Sequence, residues 1–294
     1  MSGPVQNQET GEKAAPEANP FPFLAFHDLG DYKLHRRFDR MGRLVGDPAM
    51  KRLMEAHVLV VGLGGVGSYA AEALVRSGIG TVTIVDFDLI CITNVNRQLH
   101  AMQGVIGKPK TEIMAERFLK INPKARIETR HDFYNQESSE AILGINPDYV
   151  VDAIDSVTWK CHLLDACRRK GIPVVCATGA AGRLDPTRIK IADLADTTFD
   201  SLARSVRKIL RQKHGFPADK PFGIPTVYSD EPATMPHELS YDEGQGFRCV
   251  CPQGGNENFS CDNRNLIMGT AGFVTGAFGF ACASVVVRHL ISAP

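Results

Sequence analysis

Beyond residue 56 the chain alternates short, almost purely apolar runs with segments whose apolar positions recur at helical spacing. Residues 57–61 (HVLVV), 81–85 (TVTIV), 126–131, 148–154 (DYVVDAI) and 173–177 (PVVCA) read as strands. An apolar run without polar alternation, as in 57–61, suits a strand covered on both faces, whereas 126–131 is mostly polar. Helices are predicted over 68–77, stopped by Gly78 and Gly80, over 111–121, ended before Pro123, and over 157–170. Strands alternating with helices predict an α/β fold: a Rossmann-like, mostly parallel sheet with helices on both faces. Residues 35–56 are helical in pattern, with Arg36, Arg37, Arg40 and Arg43 interleaved among Phe38, Met41, Leu44 and Met50. After Gly179 the rhythm changes to a basic helix, a Pro-rich stretch over 217–236, a Cys-bearing loop and a closing apolar helix. The predicted organisation is a disordered polar tail (1–20), an N-terminal helical segment (21–56), a Rossmann-like domain (57–180) and a C-terminal elaboration (181–294).

Composition narrows the class. Lys plus Arg and Asp plus Glu both number 33 in 294 residues, so a nucleic-acid partner needs a local basic patch. Most of the eight Cys stand singly in apolar segments, which suits reduced thiols in a cytoplasmic protein. Residues 266–287 carry no charge and meet the length of a membrane span. Gly269, Gly272, Gly276 and Gly279, with Thr270, Thr275 and Ser284, dilute this run and favour a helix packed closely in a core or dimer interface.

Chemistry concentrates after the first strand. Gly62-x-Gly64-x-x-Gly67 follows that strand and opens a helix, so backbone N–H groups and the helix N-terminus can face phosphate oxygens. Asp86 ends the second strand, where a carboxylate can accept from both hydroxyls of a ribose. Alone, these features suit a dinucleotide-dependent oxidoreductase. Arg97, Lys110 and Asp155 shift the balance, because a guanidinium, an ammonium and a metal-binding carboxylate around a nucleotide describe phosphate chemistry. Each has an ordinary alternative: a solvated surface charge for Arg97 or Lys110, a helix cap for Asp155.

Four blocks, GLGGVGS (62–68), DFDLICITNVNRQ (86–98), IGKPK (106–110) and VVDAIDS (150–156), together resemble the ubiquitin-activating-enzyme-like adenylating superfamily. RRFDRMGRLVG (36–46), INPKARIE (121–128), CRRKGIPVV (167–175), GRLDPTRIKIADLADT (182–197) and YSDE (228–231) are similar to its tRNA threonylcarbamoyladenosine dehydratase branch. That resemblance implies ATP-dependent adenylation of the threonyl carboxylate of a modified tRNA adenosine, then cyclisation. It implies that Gly62, Gly64, Gly65 and Gly67 cradle ATP and that Asp86 binds its ribose. Asn94, Arg97 and Gln98 would face the phosphates, Lys110 would neutralise the α-phosphate, and Asp155, with Asp88 as second candidate, would hold Mg²⁺. Whether a monovalent cation assists stays open. Relatives take an Arg from a neighbouring subunit; Arg40 matches that position, with Arg43 its rival, and either implies a homodimer.

Residues 201–214 are the candidate tRNA contact. Arg204, Arg207, Lys208 and Arg211 recur at i, i+3, i+4, i+7, opposite Leu202, Val206, Ile209 and Leu210. A solvated surface face is the plain alternative. Cys249, Cys251 and Cys261 lack the paired C-x-x-C spacing of many superfamily members, so zinc is not expected. Adenylation of a ubiquitin-like sulfur carrier, a scaffold or sulfur-relay role beside a cysteine desulfurase, and NAD-dependent oxidoreduction are the competing functions.

Overall fold

The structure, a computed structural model, describes residues 29–239 and 267–292. The chain divides into two units, Met1–Tyr32 and Lys33–Pro294. In the first, the described residues 29–32 form a turn in which Tyr32 N–H donates to Leu29 O.

The second unit is built on a seven-stranded sheet: β1 (His57–Val61), β2 (Thr81–Val85), β3 (Arg126–Arg130), β4 (Tyr149–Asp152), β5 (Val174–Ala177), β6 (Ile189–Asp193) and β7 (Pro225–Ser229). The order is β3-β2-β1-β4-β5-β7-β6, parallel throughout except for β6 against β7. The chain steps outward from β1 to β3, then returns to lay β4 beside β1. A crevice therefore opens between the loops of β1 and β4, the usual ligand position in such sheets. Register aligns that edge: Val61 pairs with Val85 and Asp152, and Asp152 with Cys176. The loops carrying the glycine turn, Asp86, Asp155 and the 178–183 segment thus leave the sheet side by side.

Eight α-helices are described: α1 (Asp39–Val45), α2 (Asp47–Glu55), α3 (Gly67–Arg76), α4 (Lys110–Ile121), α5 (Gln136–Leu143), α6 (Val157–Lys170), α7 (Ser201–Lys213) and α8 (Gly272–Ser292). The N-terminal helical pattern is two helices, broken at Gly46 with φ 81° and restarted by Pro48. The Pro-rich stretch holds β7. Pro225 is its first residue, where a missing N–H is tolerated. The Asp193 carboxylate accepts from Phe222, Gly223 and Ile224 N–H at 2.7–3.1 Å and so shapes the turn into β7. The YSDE segment is structural: Glu231 accepts from Leu184 and Asp185 N–H, and Asp230 pairs with Arg188 and Lys190.

The closing apolar helix begins at Gly272, later than its uncharged run, and ends beyond Arg288 and His289. It is long and apolar enough to cross a membrane, and 61% of its most apolar window is buried inside the protein. It lies chiefly on α3 and also on α2. Its glycines allow that approach. A Cβ on Gly279 would sit 2.5 Å from Val66 O and 2.8 Å from Ala70 N, both backbone. One on Gly276 would meet only the Tyr69 ring at 3.4 Å.

These distances set the sign of two substitutions. Gly→Ala inside a helix ordinarily gains about 1 kcal/mol. Gly279→Ala is instead expected to lose about 1–2 kcal/mol through overpacking, while Gly276→Ala is neutral or stabilising. Urea unfolding midpoints check this; a midpoint for Gly279→Ala at or above the parent's contradicts it.

Candidate active site

The glycine turn is squeezed on three sides and open on one. Gly62 has φ 93°, and a Cβ there would lie 2.8 Å from Ala153 O in the β4 loop. A Cβ on Gly67 would overlap the Gly62 carbonyl oxygen, and one on Gly65 would press on Thr275 of α8 at 3.0 Å. A Cβ on Gly64 would meet nothing within 4 Å. The N–H groups of Gly64, Gly65 and Val66 have no acceptor among the described residues. They sit at the N-terminus of α3, so orphan donors and the positive end of the helix dipole coincide. This arrangement suits an anionic group.

Beside the turn lies a buried acid–lysine cluster. Asp86 is buried at the end of β2; its Oδ2 accepts from Leu63 N–H (2.6 Å) and its Oδ1 from Asp88 N–H (2.8 Å). Lys110 opens α4 and is 3% exposed. Its Nζ donates to Asp88 Oδ2 at 2.7 Å and lies 3.8 Å from Asp86 Oδ1. Backbone bonds from Ile90 N–H to Lys108 O and from Lys110 N–H to Asp88 O join the two motifs. Burial works against the Lys110 ammonium, but Asp86, Asp88 and Asp155 outweigh it and raise its pKa. Asp155 is exposed on the β4 loop, close enough to act on both Lys110 and Lys160.

The loop after β2 brings Arg97 to the same edge. Leu99 N–H donates to Ser68 Oγ in the first turn of α3, and Asn96 Nδ2 donates to Thr270 O ahead of α8. Arg97 Nη1 is parked on Thr93 O (2.7 Å) and Asn96 Oδ1 (3.1 Å). Asn94 and Gln98 are buried and face their own loop: Asn94 Oδ1 accepts from Cys91 N–H, and Gln98 Oε1 bonds His100 Nε2 at 3.1 Å. Sequence reasoning missed His100, which is fully buried. Burial, with Lys110 adding to it, lowers its pKa to about 3.

The other expected sites are dispersed. Asp200 caps α7: its Oδ1 accepts from Ala203 N–H (2.7 Å), and its Oδ2 from Gly179 N–H (3.0 Å) and Thr178 Oγ1 (3.2 Å). The basic helix is therefore tied to the loop past β5. Four of its five cations, Arg204, Arg207, Lys208 and Arg211, line with Gln212 a shallow depression of about 290 Å³, but they are not equivalent. Arg207 is held on Thr197 O and Oγ1, and Arg211 on Pro217 O over the Phe222 ring. Arg204 and Lys208 are exposed, and their side chains have no polar partner among the described residues. On α1, Asp39 pairs with Arg43 at 3.0 Å and lies 3.9 Å from Arg40, whose side chain is 95% exposed. Cys249, Cys251 and Cys261 lie outside the described residues. Among the described residues no group of three or more His, Cys, Asp or Glu could hold a metal.

The ThiF family profile matches residues 38–293. The chain belongs to the ThiF family. Within the family it is 42% identical over 258 residues to a tRNA threonylcarbamoyladenosine dehydratase of Haemophilus influenzae, covering 87% of this chain and 94% of that one. It is 38% identical to the Escherichia coli protein of the same name, with the same two coverages. The crystal structure of the E. coli tRNA N6-threonylcarbamoyladenosine dehydratase in complex with ATP superposes with a TM-score of 0.75 at 37% identity, over 87% of this chain and 94% of that one. A more distant relative is the E. coli molybdopterin-synthase adenylyltransferase, 32% identical over 45% of this chain and 52% of its own. The branch resemblance carried by the motifs is thus met over most of the chain.

His100 gives this family member a measurable pH signature. An ordinary His titrates near 6.5 and this one near 3, so the unfolded chain binds the proton first. The stability tied to its neutral form is complete above about pH 6.5 and is lost as pH falls toward about 3, by up to about 1.4 kcal/mol per unit. A His100→Gln variant is expected to show a flatter stability profile across that window. Parallel profiles for variant and parent, from chemical unfolding, contradict this.

Proposed function

We propose that this protein is an ATP-dependent tRNA threonylcarbamoyladenosine dehydratase. It adenylates the threonyl carboxylate of N6-threonylcarbamoyladenosine in tRNA and closes the adenylate to the cyclic base. The observation that carries this reading is that the unpaired N–H groups of residues 64–66 and the buried Asp86–Asp88–Lys110 cluster adjoin, joined by the bond from Leu63 N–H to Asp86. A phosphate chain fits the first and a ribose the second.

The residues divide the work. Gly64, with open space where a side chain would be, lets phosphate reach the backbone donors. Asp86 has lone pairs left for ribose hydroxyls after its two backbone bonds. Lys110, held charged, would neutralise the charge that builds at the α-phosphorus. Arg97 is placed to leave its loop carbonyl for a phosphate oxygen. Mg²⁺ suits one or two carboxylates plus phosphate oxygens, so Asp155, with Asp88, would hold it. The ion would supply neutralisation of pyrophosphate charge.

The chemistry balances without a further reactant. A carboxylate oxygen bonds to the α-phosphorus and pyrophosphate leaves. The carbamoyl nitrogen then bonds to the activated carbonyl carbon, loses its proton, and AMP departs with the former carboxylate oxygen. Closing a five-membered ring needs orientation above all, worth up to about 7–11 kcal/mol in good intramolecular cases.

Arg204 and Lys208 are the proposed tRNA contacts, with Arg207 and Arg211 shaping the surface between them. Arg40 is the proposed trans contribution in a homodimer, because its side chain projects from α1 into solvent. Buried free thiols at Cys91, Cys161, Cys167, Cys176 and Cys282 support a cytoplasmic location.

Pyrophosphate exchange with threonylcarbamoylated tRNA, set against exchange with a ubiquitin-like sulfur carrier, tests the reading. Exchange is expected with the tRNA and not with the carrier. Arg97→Ala should lower kcat by about 10²-fold or more, and Arg204→Ala/Lys208→Ala should raise KM for tRNA with kcat kept. Arg40→Ala should lower turnover in a folded protein. Exchange driven by the carrier alone contradicts the proposal, and unchanged turnover for Arg40→Ala contradicts the trans role.

A further inference from the structure

Lys160 sits in the first turn of α6 and is completely buried, as is its partner Asp152 at the end of β4. Nζ donates to Asp152 Oδ2 at 2.6 Å and to Ala177 O at 2.9 Å, and lies 3.8 Å from Cys176 Sγ. The second oxygen of Asp152 accepts from Ile154 N–H at 3.1 Å. All the polar capacity of this pair is therefore directed at the last residues of β4 and β5 and at the loop that carries Asp155.

Stability alone does not account for it. Desolvating two charges in a core usually offsets their attraction, and apolar residues of the same volume often serve as well or better. The ammonium stays charged here: burial opposes it, but Asp152 outweighs that opposition and raises its pKa. What a charged pair gives that Met and Leu cannot is direction. Lys160 fixes the carboxylate, the Ala177 carbonyl and, through Asp152, the Ile154 N–H relative to one another.

Both ends of this arrangement run to functional loops. On one side, Ala153 packs against Gly62 and Gly67 of the glycine turn, and Asp155 follows. On the other, Ala177 leads into Thr178 and Gly179, which bind the Asp200 cap of the basic helix. We propose that Lys160 is a positioning residue that, through Asp152 and Ala177, sets the spacing between the nucleotide crevice and the tRNA-binding helix. This rests on the roles proposed for Asp155 and α7.

The test replaces the pair by an apolar one, Asp152→Leu/Lys160→Met, and reads three quantities: the unfolding midpoint, amide exchange of 153–156 and 178–179 without nucleotide, and ATP affinity by calorimetry. A parent-like midpoint is expected together with at least about tenfold faster exchange in both loops and an affinity weaker by about 10- to 100-fold. A parent-like midpoint with parent exchange and affinity overturns the proposal. Asp152→Asn/Lys160→Gln, which keeps polar groups, should recover part of the loop protection. If neither pair folds, the ion pair is a stability element and the proposal falls. Asp155→Ala separates the two readings: parent ATP affinity there removes Asp155 from the site, while the exchange result for Lys160 stands on its own.

Discussion

A carboxylate buried at the end of a parallel strand must find inside the protein what water would have given it. Asp86 finds it in two backbone N–H groups and a buried ammonium. Those three partners come from different places: Leu63 from the glycine turn, Asp88 from the loop after β2, and Lys110 from the start of α4. One side chain therefore fixes the relative position of three segments. Removing its side chain would leave Lys110 with Asp88 alone of these two carboxylates and Leu63 N–H without its carboxylate acceptor. The N-terminal end of α3, with its open N–H groups, and the Lys110 ammonium are held in one frame by this interaction.

The closing helix completes the frame from the other side. Its glycines let it approach the backbone of α3 and of the Arg97 loop, where a Cβ on Gly272 would sit 2.5 Å from Asn96 O. An apolar segment that reads like a membrane span is here the wall that holds the glycine turn and the Arg97 loop together. Tight backbone packing, more than hydrophobicity, explains why its small residues recur.

The first half of the fold was legible because β1, β2, β4 and β5 are buried almost throughout and read as short, mostly apolar runs. The nearness of Asp86, Lys110 and Asp155 has a related cause: Asp86 follows β2, Asp155 follows β4 on the same sheet edge, and Lys110 opens the helix after the β2 loop. The parts that escaped depend on long-range partners. Pro225 hid β7, whose turn is built by Asp193 from a neighbouring strand. α5 is short and mostly polar, although Asn135 and Ser138 form its capping box. The spacing in α7 gave the basic face but could not tell Arg204 and Lys208 from Arg207 and Arg211, whose positions are set by Thr197 and Pro217. Lys160 left one trace, a charged residue in the buried stripe of α6 with Leu163, Leu164 and Cys167.

On the proposed function, the sheet edge, the helix N-terminus and the buried cluster hold a phosphate chain with its α-phosphorus open to a carboxylate. Following one oxygen tests that directly. The reaction is run with threonylcarbamoylated tRNA labelled with ¹⁸O in the threonyl carboxylate, and the small products are weighed. Label in AMP, one atom per turnover, is the result this account requires. Label in inorganic phosphate or pyrophosphate, or label retained wholly in the tRNA, would contradict it.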